Sequence, residues 1–463
     1  MPDQIAPAAA AADQRTLDVI LERMAAWHDR PAVTGPAGDV TYGTFLSHVD
    51  QWCERLIERG VAPGAVCGVY GDFSPSTCAL FFALMRLLAV MVPLTEAGRT
   101  QLAELQTLAG VRWMIYPGGA PGEGSIEAVE GPDAAVIAAF RERKRPGLVV
   151  FTSGSSGRPK GILHDCDRVL GKFVSERRGW RTLLFLMMDH FGGFNTFLSS
   201  FAYGGTAVCV AERLPEPTCR IVEQARVQLL PVTPTFLRML WVSGAWRQYD
   251  LSSVELVTYG AEPMPQATLD MVREVFPRAR LKQTYGLSEL GVLRSRSPED
   301  GSVWLQVGGD GFETRVLDGI LWIRSASSMV GYLNAPAPFD ADGWMNTGDE
   351  VDERDGLIRF RGRTSDVINV GGNKVFPAEV EGVLLEVPGV LDATVYGIPH
   401  PLLGQVPCAT VTVREQEPND ALRDRLRRHC VERLAKYKAP MRFIVAQETP
   451  SMNLRLKKAR DER

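Results

Sequence analysis

At 463 residues the chain exceeds what one hydrophobic core supports, so two or three domains are expected. An apolar content of 45% and a charged content of 23% are ordinary for a globular protein, and a net charge of −4 argues against a nucleic-acid surface held by bulk electrostatics. Eight cysteines without a Cys-x-x-Cys pair and six scattered histidines argue against a zinc cluster or disulfide framework, and fit a reducing cytoplasm.

The opening run "MPDQIAPAAAAADQ" lacks the basic start and long apolar core of a secretory signal, and residues 1–15 are expected to be disordered. "LDVILERMAAW" has a helical period and "AVCGVYGD" reads as a buried strand. The longest apolar run, residues 79–94, is interrupted by Arg86 and is too short for a membrane span. It reads as a buried helix feeding a strand. "LVVFTS", "LLFLMM", "TAVCVA", "VQLLPV" and "VELVTYGA" are further strand candidates, with helix-like segments such as "DLSSV" and "PQATLDMVREVF" among them. This alternation predicts an α/β fold of layered, largely parallel sheets with helices, whose ligands sit at the carboxyl ends of strands. Residues 301–360 turn to Gly, Asp and short strands, a small β-rich section. After "RGRTSD" a helix–strand–strand–helix order predicts a small α+β domain of about 100 residues. The expected domains are 1–364 and 365–463, with a hinge near Thr364 and Ser365.

The run "FTSGSSGRPKG", residues 151–161, carries the densest chemistry. Gly154 and Gly157 let backbone N–H groups turn toward an anion. Thr152, Ser153, Ser155 and Ser156 add neutral donors, and Arg158 and Lys160 add charge. This is the chemistry expected of a loop that wraps polyphosphate, the plainer alternative being a flexible Ser/Gly linker. It is not the common P-loop, because Pro159 separates the two cations and Gly161 follows the lysine.

Four more motifs follow in order: "TYGLSE" at 284–289, "NTGDE" at 346–350, "GRTSDVINVGGNKVFPAEVE" at 362–381, and the tail "KYKAP…ETPSMNLRLKKAR". Together with the Ser/Gly loop they resemble the adenylate-forming superfamily of acyl- and aryl-CoA synthetases, stand-alone adenylation domains and firefly-type luciferases. The resemblance spans nearly the whole chain. It implies a two-step enzyme using ATP and Mg²⁺. A carboxylate attacks the α-phosphate, pyrophosphate leaves, and a second nucleophile takes the acyl group. The resemblance also implies residue roles. Glu289 is the magnesium ligand, a hard oxygen donor suited to that ion, and Ser288 reaches the α-phosphate where threonine is usual. Tyr285 stacks on adenine, with Gly286 beside it, and the backbone of Gly260, Ala261 and Glu262 in "YGAEP" faces the base. Asp349 accepts the ribose hydroxyls and Arg363 also reaches the ribose. The small domain is implied to be mobile, turning at Ser365 so that Gly371 and Gly372 approach the acyl site.

The tail departs from the family pattern, because no Gly-Lys pair follows Pro450. Lys457 is the expected adenylation lysine, with Lys458 the alternative one residue on. "MMDHFGGFNTF", residues 187–197, matches the segment that opens the acyl pocket. His190 lines up with a histidine common in acyl- and aryl-CoA synthetases. Phe191 stands where amino-acid activators have an aspartate, so an α-amino acid is disfavoured. Gly192, Asn195, Gly260 and Gly286 complete the expected pocket, with Asn195 placed either to bond a polar substituent or to bond backbone. The implied substrate is a small-molecule carboxylic acid with an apolar or aromatic body. The commonest acceptor in the family is CoA. A carrier-protein thiol, an amine, activation of another oxyanion such as nitrite for diazotisation, and a non-catalytic nucleotide-binding scaffold are the alternatives. No nucleic acid and no membrane span are expected.

Overall fold

A computed structural model of the chain describes residues 15–132, 134–153, 158–298, 302–309, 311–414 and 418–446. The alanine-rich lead, Gly154, Ser155, Ser156, Gly157, Lys457 and Lys458 therefore lie outside the described residues. The chain divides into two compact units. One comprises 1–180, 188–209 and 329–336, and the other 181–187, 210–328 and 337–463.

The first unit contains a seven-stranded sheet in the order Gly331–Tyr332, Pro159–Asp165, Gly147–Ser153, Val90–Leu94, Val66–Tyr70, Trp113–Pro117, Gly124–Ala128. The four strands from Gly147–Ser153 to Trp113–Pro117 pair parallel, and the flanking pairs are antiparallel. Val66, Val90, Val92, Val149 and Leu163 are buried in one apolar cluster, as β-branched strands covered on both faces require. The apolar run at 79–94 does become a helix, Pro75–Arg86, and a strand, Val90–Leu94. Ser74 caps that helix by accepting from Thr77 N–H, and Pro75 opens it.

Helix Phe191–Ala202 places Phe194, Phe197 and Phe201 at helical spacing. Phe194 meets Phe81 at 5.2 Å, and Phe201 meets Phe82 at 5.3 Å and Phe45 at 4.6 Å. These rings lock the helix against Pro75–Arg86 and Tyr42–Glu58, in the edge-on and offset geometries aromatic quadrupoles favour.

The second unit holds a run of parallel strands, Arg181–Leu183, Leu229–Val232, Leu256–Tyr259 and Arg280–Gln283. An antiparallel sheet follows in the order Phe312–Leu317, Ile320–Ser325, Met345–Arg354, Leu357–Arg363. This is the β-rich section that the composition indicates. Residues beyond 367 build their own sheet from Asn373–Val375, Ile368–Val370, Gly404–Val413 and Val390–His400, with Arg442–Ala446 parallel to Gly404–Val413. Helices Pro377–Leu385 and Asn419–Arg433 supply Val380, Leu384, Leu422 and Leu426 to its core.

The flanks of the Ser/Gly run pair antiparallel, Thr152 opposite Lys160, so they lie on neighbouring strands of one sheet. Two local expectations change. "DLSSV" is not a helix start. Asp250 accepts the Ser252 N–H at 2.9 Å and turns the chain, while the helix of that stretch is Pro234–Ser243, capped by Thr233. In "LLFLMM" only Leu183 belongs to a strand, and Leu184, Phe185 and Met188 continue as buried irregular chain.

Candidate active site

In the first unit, Thr152 and Lys160 face each other at the base of the Ser/Gly loop, both half-buried. The Lys160 ammonium lies 5.3 Å from the centre of the Tyr332 ring, a cation–π contact that leaves the charge available to an anion. Asn334 pins the outgoing strand, donating to Pro159 O at 2.9 Å and accepting Gly161 N–H at 3.2 Å.

The residues expected to open the acyl pocket lie in the same unit and are held by the aromatic helix. His190 is the N-cap of Phe191–Ala202, and its Nδ1 accepts the Gly192 N–H at 3.2 Å. That bond assigns the imidazole proton to Nε2. Phe191 is buried against His164, with ring centres 4.6 Å apart. Asn195 Oδ1 accepts a hydrogen bond from the Lys172 ammonium, a partner with no marker in the sequence. Asp189, next to His190, is buried and accepts from Thr95 Oγ1 at 2.9 Å.

In the second unit, strands Leu256–Tyr259 and Arg280–Gln283 run parallel and end side by side. Gly260 follows the first. A Cβ there would stand 2.6 Å from both Thr284 O and Thr284 Oγ1, so only glycine lets the two chain segments approach. Ala261 is left-handed with φ of +68°. Glu262 turns back, its Oε2 accepting Thr235 N–H at 3.1 Å and Thr235 Oγ1–H at 2.6 Å. Tyr285 and Gly286 lie in the strand Tyr285–Leu287, hairpinned to Gly291–Leu293, and Ser288 and Glu289 occupy the turn.

Tyr285, Asp349 and Arg363 come together in this unit. Asp349 is buried and sits directly across the ladder from Arg363. Its Oδ1 is 3.3 Å from Arg363 Nε, and its Oδ2 accepts from the Tyr285 hydroxyl at 2.5 Å. The Asp349 N–H donates to Thr347 Oγ1 at 3.1 Å. One face of Tyr285 is covered by Phe360, stacked at 4.4 Å and 17°. Burial pushes the Asp349 carboxyl above the usual carboxylate range, opposed by Arg363 and the Tyr285 bond. Burial, with the Asp349 charge and bond, pushes the Tyr285 phenol well up. Burial is the largest single influence on Arg363 and lowers it, but Asp349, Tyr285, Asp366 and Glu289 together outweigh it and hold the guanidinium above its ordinary value. Glu289 is thus within electrostatic reach of the cluster.

Among the described residues no group of three or more His, Cys, Asp or Glu side chains forms a metal cage. A single half-buried carboxylate, Glu289, still suits a magnesium ion that arrives on a polyphosphate and keeps most of its own waters.

Residues 20–333 match the family model described as AMP-binding enzyme. The chain belongs to that family. Residues 379–453 match the AMP-binding enzyme C-terminal domain. The AMP-binding chain is 26% identical over 468 aligned positions to the long-chain-fatty-acid–CoA ligase FadD13 of Mycobacterium tuberculosis, covering 90% of this chain and 92% of that one. Among solved structures, the anthranilate CoA ligase AuaEII in complex with anthranoyl-AMP superposes with a TM-score of 0.81 at 20% identity, covering 96% and 95%. The amide bond synthetase McbA from Marinactinospora thermotolerans superposes at 0.75 and 24%, covering 95% and 97%. Both share the fold of a large N-terminal and a small C-terminal domain. The AMP-binding chain is accordingly an AMP-forming acid ligase of the adenylate-forming superfamily, activating an acid with ATP through an adenylate. No helix among its described residues is long and apolar enough to cross a membrane.

Proposed function

We propose that the enzyme activates a carboxylic acid with an apolar or aromatic body and passes the acyl group to a thiol, with CoA as the acceptor. The observation that carries the nucleotide half is the convergence of Tyr285, Asp349 and Arg363 from three strands 64 and 14 residues apart. An aromatic face, a diol acceptor and a cation within one cluster are what an adenosine requires. Lys160 and the Ser/Gly loop would hold the β- and γ-phosphates. Glu289 would be the protein ligand of Mg²⁺, which supplies neutralisation of phosphate charge, and Ser288 would donate to the α-phosphate. Lys457, or Lys458 one residue on, would stabilise charge as the carboxylate attacks.

His190, with its proton on Nε2, would donate at the acyl pocket. The buried Phe191 offers no anion to a substrate ammonium, which supports an acid without an α-amino group. Domains 1–364 and 365–463 would meet at the one-turn 3₁₀ segment Thr364–Asp366, where Ser365 is exposed. Gly371 and Gly372, both left-handed, form a tight turn between Ile368–Val370 and Asn373–Val375. We assign that turn to the second half-reaction. FadD13 and AuaEII are named for acids with apolar and aromatic bodies, in keeping with this substrate class. A reducing cytoplasm is the setting in which these free thiols persist.

An amine is the second acceptor class, since the tail's departure from the family Gly-Lys pattern leaves non-thiol acceptors open. Hydroxylamine trapping of acyl-adenylates over a panel of aryl and aliphatic acids, with ATP and Mg²⁺, tests the first step. Trapped hydroxamate with release of pyrophosphate is expected, and ADP with phosphate would overturn the reading. Repeating the assay with CoA, a carrier-protein thiol or an amine identifies the acceptor.

A further inference from the structure

A continuous polar path leaves the segment proposed to face adenine and ends in the C-terminal sheet. Glu262 Oε2 accepts from Thr235 Oγ1 at 2.6 Å. Thr235 Oγ1 accepts from Arg238 Nη2 at 3.1 Å. Arg238 Nε lies 3.2 Å from Asp392 Oδ1, an ion-pair contact without hydrogen-bond geometry, and Asp392 belongs to the strand Val390–His400. Thr235 and Arg238 are one turn apart on helix Pro234–Ser243, so both face the same way. Thr235, Arg238 and Asp392 are all buried, at 5%, 4% and 7% exposure.

Two neighbouring contacts run in the same direction. Arg414, just past the strand Gly404–Val413, lies 5.2 Å from the Trp241 ring centre. Ala267, five residues beyond Glu262, packs on the C-terminal core.

We infer that Thr235 and Arg238 are positioning residues that tie the nucleotide-facing segment to the seating of the C-terminal sheet, so that each biases the other. The inference rests on the adenylation reading of Gly260 to Glu262 given above. Its physical basis is the cost of an unpaired charge in a dry setting. If Asp392 moves away or loses its charge, the Arg238 guanidinium must draw its compensation from Thr235 and, through it, from Glu262. Glu262 then leaves the Thr235 N–H, and the left-handed turn at Ala261 shifts with it. Coupling of this kind is reciprocal, so nucleotide on the segment also favours the paired Arg238 and Asp392.

The test is an equilibrium titration of ATP and of AMP against wild type, Asp392→Asn, Thr235→Val, the double variant and Thr235→Ser, with thermal unfolding of each. Asp392→Asn and Thr235→Val should each weaken ATP binding about 5- to 20-fold. The double variant should be no weaker than the worse single one, because one path is cut twice. Thr235→Ser should bind as wild type does, and the KM for the acid should be unchanged in all of them. Lowered unfolding temperatures with wild-type ATP affinity would make these contacts merely structural and overturn the inference, as would single effects that multiply. A wild type that binds neither ATP nor AMP would sink the adenylation reading and this inference together, whereas normal wild-type binding with unaffected variants would sink this inference alone.

Discussion

The Tyr285 hydroxyl donates to Asp349 Oδ2 at 2.5 Å while Arg363 approaches Oδ1 at 3.3 Å, so both oxygens of the proposed ribose acceptor already carry a partner. Each carboxylate oxygen has a second lone pair, and a ribose diol would share or replace these donors. Tyr285 therefore has two separable functions, a ring and a hydroxyl. Tyr285→Phe keeps the ring on Phe360 and should cost about 1.5–3 kcal/mol of stability, the usual worth of a bond to a charged group. Tyr285→Ala should also weaken ATP binding about tenfold or more through lost stacking, with the phenylalanine variant within about threefold of wild type. Urea unfolding and nucleotide titration measure the two effects, and equal ATP affinities for both variants would remove the stacking role.

Asp349 makes a signed contribution to the pH dependence of stability. Its folded value lies above the ordinary 3.8, chiefly through burial. A raised acid contributes stability that is fully present below 3.8 and is lost as pH rises through the folded value. The stability difference, wild type minus Asp349→Asn, should thus shrink as pH climbs through the window just above 3.8 and then stay flat. Urea unfolding of both proteins across that window checks the sign, and a difference that grows with pH would contradict it.

Gly260 has no room for a side chain. A methyl group there would stand 2.6 Å from Thr284 O, and backbone does not yield as a flexible side chain does. Gly260→Ala should destabilise by about 1–3 kcal/mol and raise the KM for ATP more than that for the acid. Calorimetry with pyrophosphate-exchange kinetics would show both, and an unperturbed melting temperature would mean that the strand ends separate easily.

Lys160 and Lys457 belong to the same half-reaction in this mechanism. Alanine at either position should slow adenylate formation by about 100-fold or more and leave thiol transfer from a supplied acyl-adenylate nearly intact. Equal loss in both half-reactions would reassign the residue. Comparing Lys457→Ala with Lys458→Ala decides which tail lysine acts.

The thiols of Cys67, Cys219 and Cys430 are each pushed up to about 12 by burial. They should stay protonated and unreactive at neutral pH. Brief iodoacetamide treatment followed by mass spectrometry should find these three unmodified in native protein and fully modified in urea.

The α/β class, the β-rich section and the order of the last helices and strands were legible because periodicity and apolar runs are local signals. The residues proposed for the nucleotide could be named because their motifs keep a fixed order, and the structure brings three of them, Tyr285, Asp349 and Arg363, together. Phe360 beneath Tyr285, Lys172 on Asn195 and Asp392 on Arg238 were not. Each joins residues 23 to 154 positions apart, and a single sequence carries no signal for such pairings. The short strands Ile368–Val370 and Arg442–Ala446 escaped for a related reason, since they hold only through their neighbours in the sheet.

The cap on helix Phe191–Ala202 leaves Nε2 as the only ring nitrogen through which the proposed acyl-pocket residue His190 would donate. Because Nδ1 receives a backbone N–H, that nitrogen has no lone pair left for extracting a proton from anything else. A second proton placed there would oppose the Gly192 amide and loosen the first turn of a helix clamped along its length by phenylalanine rings. In the proposed pocket the residue is thereby suited to a fixed, one-way gift of a hydrogen bond rather than to shuttling protons, with the helix behind it held by the aromatic cluster.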